Sequence, residues 1–430
     1  MSTRHVGRRC WRLWALALVA VTAWMWGQAA SAGASADWTL MAYLSGDGEL
    51  EGAAVGYVQM LASVGASERV AVALQLDRRE GGDETPPDFA DTRRWVIEPN
   101  RHTGGWADGD PAEQRGEVDM ASAEELAAFV RWARERRPAR RYGLILMGHG
   151  GGLVDLPHPF VRLPAQLCGI CYDETSGTYM APAELGKALR SLADDAGKPT
   201  IDVLFLDACL TGLLEVVYEL RGGCRFVTAS EYVMLTPGAP WDQILRGVVA
   251  WPDMSAREFA TNYVRQAAGY WAQVPDVTLT HAAIDVSRAA TLAGELGRLG
   301  ERLAVTMEES ASAVTYARAV SRSFGPQRQY VDLGQFARTL AEQHPDKIAR
   351  RLAREVAAGV SSAVVAEYHR GGERRGGDEP TGLSVFFPPN LSELPEAYMA
   401  STGLARETAW GEFLRAYLRH VRRMFDREAA

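Results

Sequence analysis

Apolar residues fall in short runs separated by helical stretches along the first half of the chain. Trp38 to Leu44 is such a run, closed by Ser45-Gly46-Asp47-Gly48, and reads as a strand and a loop. Glu49 to Ala62 has helical spacing, and Arg69 to Leu76 reads as a second strand. A Pro-rich polar loop over Gly81 to Asp91 precedes a short strand at Arg94 to Glu98, and Gly104 to Gly116 is another loop. Ser122-Ala-Glu-Glu125 is a capping box, so a helix is expected from there to Arg136, stopped by Pro138. Tyr142 to Met147 and Ile201 to Leu206 are almost wholly apolar, as strands buried on both faces of a parallel sheet are. A loop is expected over Gly148 to Tyr179. Helices are expected at Pro182 to Leu192 and Leu213 to Leu220, with a strand at Arg225 to Ala229.

This alternation predicts an α/β fold with a doubly wound, mostly parallel sheet flanked by helices. Beyond Pro237 the pattern is mainly helical, at about 255–271, 287–309, 332–343, 347–369 and Trp410 to Phe425. Strands are expected at Val277 to Ile284 and Leu383 to Phe387, with a charged, Gly-rich loop over Gly371 to Pro380. The expected division is a signal segment over 1–36, a catalytic core over 37–250, and a mostly helical C-terminal region over 251–430 packing on the core.

The N-terminus changes the picture of where the protein works. Arg4 to Arg12 form a positive segment, Leu13 to Trp26 a largely apolar run, and Ala30-Ser31-Ala32 and Ala34-Ser35-Ala36 offer small-residue cleavage sites. The run is shorter than the ~20 residues of a membrane span. A cleavable export signal is expected, giving a periplasmic or secreted protein without stable membrane insertion. Without the first 36 residues, 42 basic residues face 54 acidic ones, and nothing makes a basic stripe, which argues against nucleic acid as a partner. The four remaining cysteines are scattered and make no disulfide framework. Cys168-Gly-Ile-Cys171 is a C-x-x-C without a second pair, open to a local disulfide or to two unpaired thiols.

Two strand ends carry the candidate chemistry: Leu144-Ile-Leu-Met-Gly-His149-Gly150-Gly-Gly152 and Val203-Leu-Phe-Leu-Asp207-Ala-Cys209. Ligands of such sheets bind beyond the carboxyl ends of the strands. If these strands are neighbours, Cys209 and His149 face one crevice as nucleophile and general acid/base. The N–H groups of Gly150 and Cys209 would hold the oxyanion of a tetrahedral intermediate.

These segments resemble the clostripain family of cysteine peptidases. So do Gly116-Glu-Val-Asp-Met120, Cys171-Tyr-Asp-Glu-Thr-Ser-Gly177, Glu215-Val-Val-Tyr-Glu219, Ser230-Glu231, Trp241-Asp242 and Gly382-Leu-Ser-Val-Phe-Phe-Pro388. The resemblance implies a caspase-like sheet and a Cys209–His149 dyad. It also implies cleavage of protein or peptide substrates after Arg, then Lys, with Asp207, Ser230 and Glu231 binding substrate. Arg162 is the site it suggests for self-cleavage. It implies no cofactor for the chemistry, but calcium in some members. The nearby acids Asp108, Asp110, Glu117 and Asp119 lack an EF-hand pattern and read as a solvated loop, so no metal ligands are assigned. The segment Thr236-Pro-Gly-Ala-Pro-Trp241 departs from the family's Gly-Trp-Pro-Tyr pattern, which puts the subsites in doubt. Two alternatives remain open: a catalytically silent peptide-binding or scaffold member, and a cysteine peptidase with non-basic P1 specificity.

Overall fold

The apolar runs become strands because each buries side chains on both faces. We describe the molecule from a computed structural model. It describes residues 35–85, 88–97, 111–155, 166–167, 169–371, 379–389 and 394–428. Residues 1–34 of the expected signal segment, Asp108, Asp110, Arg162 and Cys168 lie outside these residues.

Nine strands form the main sheet: β1 (Ala36–Gly46), β2 (Val70–Arg78), β3 (Thr92–Ile97), β4 (Glu113–Gly116), β5 (Ala139–Met147), β6 (Ile201–Asp207), β7 (Cys224–Ala229), β8 (Leu279–Asp285) and β9 (Val364–Arg370). Their spatial order is β9-β8-β7-β6-β5-β1-β2-β3-β4. The five central strands, β7-β6-β5-β1-β2, are parallel, and the two at each edge are antiparallel.

Alternation along each central strand sends its side chains to two different cores. Leu144 and Leu146 of β5, and Leu204 and Leu206 of β6, enter one core. Ile145 and Met147, with Val203 and Phe205, enter the other. Helices α1 (Glu51–Val64), α2 (Ala123–Arg136), α3 (Pro182–Arg190), α4 (Leu214–Glu219), α5 (Trp241–Ala250), α6 (Ala256–Trp271) and α7 (Ala289–Val305) cover the sheet. The first core is walled by α2, α3, α4 and α7, the second by α1, α5 and α6. Helix α2 starts where expected, because the Ser122 hydroxyl accepts the Glu125 N–H at 3.3 Å. Phe205 sits 5.0 Å from Trp241 edge-on and 4.8 Å from Phe259, ring centre to ring centre, and truncating such a side chain costs ~3–5 kcal/mol.

Past residue 250 the chain supplies β8, β9 and helices α8 (Met307–Val320), α9 (Leu333–Gln343), α10 (Lys347–Ala363) and α11 (Trp410–Glu428). It also supplies a small antiparallel sheet of 323–324, 330–332 and 384–386. Residues 364–370, expected as the end of a helix, instead form the edge strand β9. Val364, Val365 and Tyr368 favour a pleated edge, and β8 offers its free side to pair with. The helix expected over 287–309 ends at Val305, and a separate helix begins at Met307. No helix among the described residues is long and apolar enough to cross a membrane.

Candidate active site

Strands β5 and β6 are parallel neighbours, with Met147 opposite Asp207. His149 and Cys209 each follow two residues later, so the register delivers them to the same level of the same sheet edge. Both are half-buried.

Gly150 brings the two strand ends into contact. A Cβ built on it would lie 2.6 Å from the Cys209 nitrogen and 3.0 Å from the Ala208 carbonyl carbon. Only a residue without a side chain lets these backbones meet. The loop holding His149 is fixed from two sides. Gly150 pairs with Ile170, and the Gly151 N–H donates to the Gly169 carbonyl at 3.1 Å. Further along, the Leu153 N–H donates to the Tyr330 hydroxyl at 2.9 Å.

The Cys209 turn is pinned as firmly. Leu210, the next residue, has φ +57°, the left-handed region that an L side chain rarely occupies. Its N–H donates to the Tyr232 carbonyl at 3.1 Å, and the Gly212 N–H to the Ser230 carbonyl at 2.8 Å. The strained turn lifts Cys209 out of the strand direction. Its Sγ accepts the Met234 N–H at 3.3 Å. Burial pushes the Cys209 thiol up, while the Met234 N–H pulls it down by favouring the thiolate.

The expected substrate-binding residues lie behind this edge. Asp207 points into the second core and is 5% exposed. Its Oδ2 accepts Trp241 Nε1–H at 2.7 Å and the Tyr57 hydroxyl at 2.9 Å, and its Oδ1 accepts the Tyr263 hydroxyl. Burial raises its pKa, and the three donors resist that rise. Pro237 to Trp241 closes over it. The Ala239 N–H donates to the Tyr57 hydroxyl at 3.2 Å, and any side chain on Gly238 would meet the Tyr57 ring.

Ser230 and Glu231 are each 1% exposed. The Ser230 hydroxyl bonds with the Tyr232 carbonyl and the Thr280 hydroxyl, at 3.0 and 3.1 Å. Glu231 Oε1 accepts the Ser384 hydroxyl at 2.6 Å, and burial, then the charge of Asp332, hold its carboxyl well above the usual range. All three residues are therefore bonded to other protein groups in the interior. Sequence reading did not single out Tyr57, Tyr263, Met234 or Tyr330. No local pattern marks residues that meet the site from 25 to 177 positions away. Cys171 is a buried free thiol, pushed up to about 12 by burial alone. Asp119 serves the turn before α2, accepting the Ala121 N–H and the Thr178 hydroxyl.

A thiol and an imidazole on neighbouring strand ends, with a glycine backbone against the thiol residue, have the layout of a thiol-dependent acyl-transfer site. The chain belongs to the clostripain family, whose family model matches residues 100–417. Clostripain of Hathewaya histolytica is 28% identical over 231 residues, which are 49% of this chain but only 42% of that protein. The fold is similar to a secreted C11 cysteine protease from Bacteroides thetaiotaomicron bound to an irreversible peptide inhibitor. That likeness has a TM-score of 0.62 at 15% identity over 88% of this chain and 99% of the other. It is also similar to an inactive zymogen C11 protease from Parabacteroides distasonis, with a TM-score of 0.61 at 16% identity over 88% and 98%. The caspase-like, mostly parallel sheet expected from the sequence is the fold observed.

Proposed function

We propose that the protein is an exported cysteine endopeptidase that cleaves peptide bonds after Arg, then Lys. The approach of Gly150 to the Cys209 backbone, on two strands in register, carries this reading. It sets the Gly150 and Cys209 backbones side by side at the thiol, where their two N–H groups can serve one oxyanion.

His149 takes the proton of Cys209, offsetting the rise that burial imposes on the thiol. The thiolate attacks the scissile carbonyl carbon, and the N–H groups of Gly150 and Cys209 receive the oxyanion. Collapse of the intermediate breaks the C–N bond, and His149 gives its proton to the leaving amine. A thioester remains on Cys209. Water, deprotonated by His149, hydrolyses it and restores the thiol.

The preference for a basic P1 residue rests on Asp207. Its three hydrogen-bond donors are neutral, and no Arg or Lys pairs with it among the described residues. A buried carboxyl group without a cation lies two residues behind the nucleophile, and an incoming guanidinium is the partner that would favour its charged form. Residues 234–240 must shift for a side chain to reach it. Ser230 and Glu231 are the other two residues assigned to substrate binding. Arg162 is the proposed self-cleavage point, and 1–36 the signal removed on export.

One observation favours a second reading: the carboxylates expected to meet substrate are buried and bonded internally, as in a catalytically silent, peptide-binding relative. The test uses residues 37–430, wild type and Cys209→Ala, under reductant. Peptides with Arg, Lys, Asp or Leu at P1 are followed for turnover, and a peptidyl electrophile with Arg at P1 is tested for labelling. We expect Arg turnover that Cys209→Ala abolishes. Labelling only by a non-basic probe would reject the basic preference. Folded, reduced protein that turns over no peptide, and takes no label, would reject the peptidase.

A further inference from the structure

One stretch of chain covers both the nucleophile and the acid that would hold the P1 side chain. It leaves the end of β7 at Ser230 and enters α5 at Trp241. Its start is anchored. The Tyr232 carbonyl accepts the Leu210 N–H at 3.1 Å, and the Tyr232 N–H donates to the Ser230 hydroxyl at 3.1 Å. Its end is anchored too, since Trp241 is buried, lies edge-on to Phe205 and donates to Asp207. Between these anchors, residues 233–239 form neither helix nor strand, and Val233, Thr236 and Pro237 are exposed.

This middle part touches the site twice. Met234 lies against the sulfur of Cys209: its N–H donates to Sγ at 3.3 Å, and its carbonyl oxygen stands 4.0 Å from the same atom. Farther along, Gly238 lies against the Tyr57 hydroxyl, and the Ala239 N–H donates to that hydroxyl at 3.2 Å. Tyr57 in turn donates to Asp207 Oδ2. A tight turn joins the two contacts, closed by the Gly238 N–H on the Leu235 carbonyl at 2.6 Å. A turn closed by its own hydrogen bond moves as one piece. A side chain that reaches Asp207 must lift Gly238 and Ala239, and that lifting draws Met234 away from the sulfur.

An N–H aimed at a thiolate has two effects. It favours the thiolate over the thiol, against the burial that opposes it. It also engages electron density that the attack on a carbonyl needs. Thiolate nucleophilicity falls as the thiol becomes more acidic, with a slope of ~0.4–0.5, so a capped thiolate is abundant but sluggish.

We propose that Met234 ties P1 recognition to the nucleophile: its N–H caps the Cys209 thiolate while Asp207 is unoccupied, and a guanidinium arriving at Asp207 lifts residues 233–239 and frees the sulfur. The inference rests on the reading of Asp207 as the acid that meets P1. It adds selectivity beyond binding. A peptide with an apolar P1 residue meets a capped sulfur, so a basic P1 residue raises kcat as well as lowering KM.

The test reads the sulfur itself, apart from peptide turnover. Residues 37–430 are alkylated with iodoacetamide from about pH 5 to pH 10, which spans the titration of a thiol, and Cys209→Ala supplies the background. The midpoint of the rate profile reports the acidity of Cys209, and its plateau the nucleophilicity of the thiolate. The probe is n-butylguanidinium, a P1 side chain without a peptide, compared with equal sodium chloride. We expect it to raise the midpoint by about one pH unit, the worth of one charge-assisted hydrogen bond, and the plateau about threefold. The charge of the probe alone would lower the midpoint, so the sign separates the two causes. Asp207→Asn should remove the response. Gly238→Ala, whose Cβ would lie 2.0 Å from the Tyr57 hydroxyl oxygen, should raise midpoint and plateau with no probe present. Met234→Pro lacks the N–H and should raise the midpoint likewise. A wild-type midpoint that stays or falls at about 10⁻¹ M probe, a hundredfold above a millimolar Kd, would overturn the proposal. So would a Gly238→Ala profile that matches the wild type. Arg-P1 turnover beside such profiles would remove the coupling and leave the peptidase reading, whereas the expected profiles without turnover would do the reverse.

Discussion

Gly150 sits against the backbone of Cys209 at a distance that leaves no room for even a methyl group. Its neighbours there are main-chain atoms, which do not swing aside as the end of a flexible side chain would. Gly150→Ala must therefore part the two strand ends or tilt the Gly150 N–H, and either misplaces the oxyanion site. Errors of about 1 Å in such positioning cost on the order of 10²-fold in rate. We expect Gly150→Ala to lower kcat/KM by about that factor, with kcat carrying the loss, and to lower the unfolding midpoint by an amount worth ~1–3 kcal/mol, since backbone must move. A loss confined to KM would place Gly150 in substrate binding instead. The placing of Cys209 and His149 on neighbouring strand ends was legible in the sequence, because both residues follow apolar runs by a fixed short step. The residues that hold them there were not. Tyr57 reaches Asp207 across 150 positions, and Tyr330 reaches the His149 loop across 177.

Helix α4 shows how an element in the core is tied to distant chain. Glu215 on α4 is fully buried, and its Oε1 accepts the Phe386 N–H and the Tyr398 hydroxyl, both at 3.0 Å. Its Oε2 has no partner, and burial raises its pKa from 4.5 to about 7. The folded state therefore holds its proton more tightly than the unfolded chain does. The stability this contributes is complete below pH 4.5 and is lost as the pH rises through 7. Glu215→Gln keeps the accepting oxygen and cannot ionise. Between pH 5 and 8 its Tm should fall less than that of the wild type, by an amount worth on the order of 3 kcal/mol. Parallel Tm–pH curves for the two proteins would show that Glu215 does not ionise in this range. Elements of this kind divide by how they declare themselves. Strands β1, β2, β5 and β6 are buried on both faces and stand out as apolar runs. Edge strand β9 is half-exposed along its length and carries Glu367, His369 and Arg370, so it reads like the surface of the helix before it. Helix α8 was missed because nothing but Thr306 separates it from α7.

At the scale of the whole molecule, the chain beyond residue 250 does more than cover the core. It supplies β8 and β9, which continue the sheet from β7. Helix α6 supplies Phe259 and Tyr263, which pack on Phe205, and Tyr263 also bonds Asp207. From farther on, the Ser384 N–H donates to the Gly212 carbonyl at 2.9 Å, and its hydroxyl holds Glu231, so residue 384 braces the turn that carries Cys209. A chain of residues 37–250 would lose all of this and leave β7 as a bare apolar edge, which invites association. Losing two large aromatic contacts at ~3–5 kcal/mol each consumes most of the ~5–15 kcal/mol that stabilises a typical domain. We expect residues 37–250 to be insoluble or to lack cooperative unfolding, while 37–428 unfolds as one unit. Light scattering and thermal melts of the two chains decide it. A soluble 37–250 with a sharp melt would mean that the first seven strands fold by themselves, and that the later residues dock on a finished body. Failure to fold would make the nucleophile turn dependent on residues 175 positions further along the chain. In that case substitutions at Ser384 should lower peptide turnover without touching the Cys209–His149 pair.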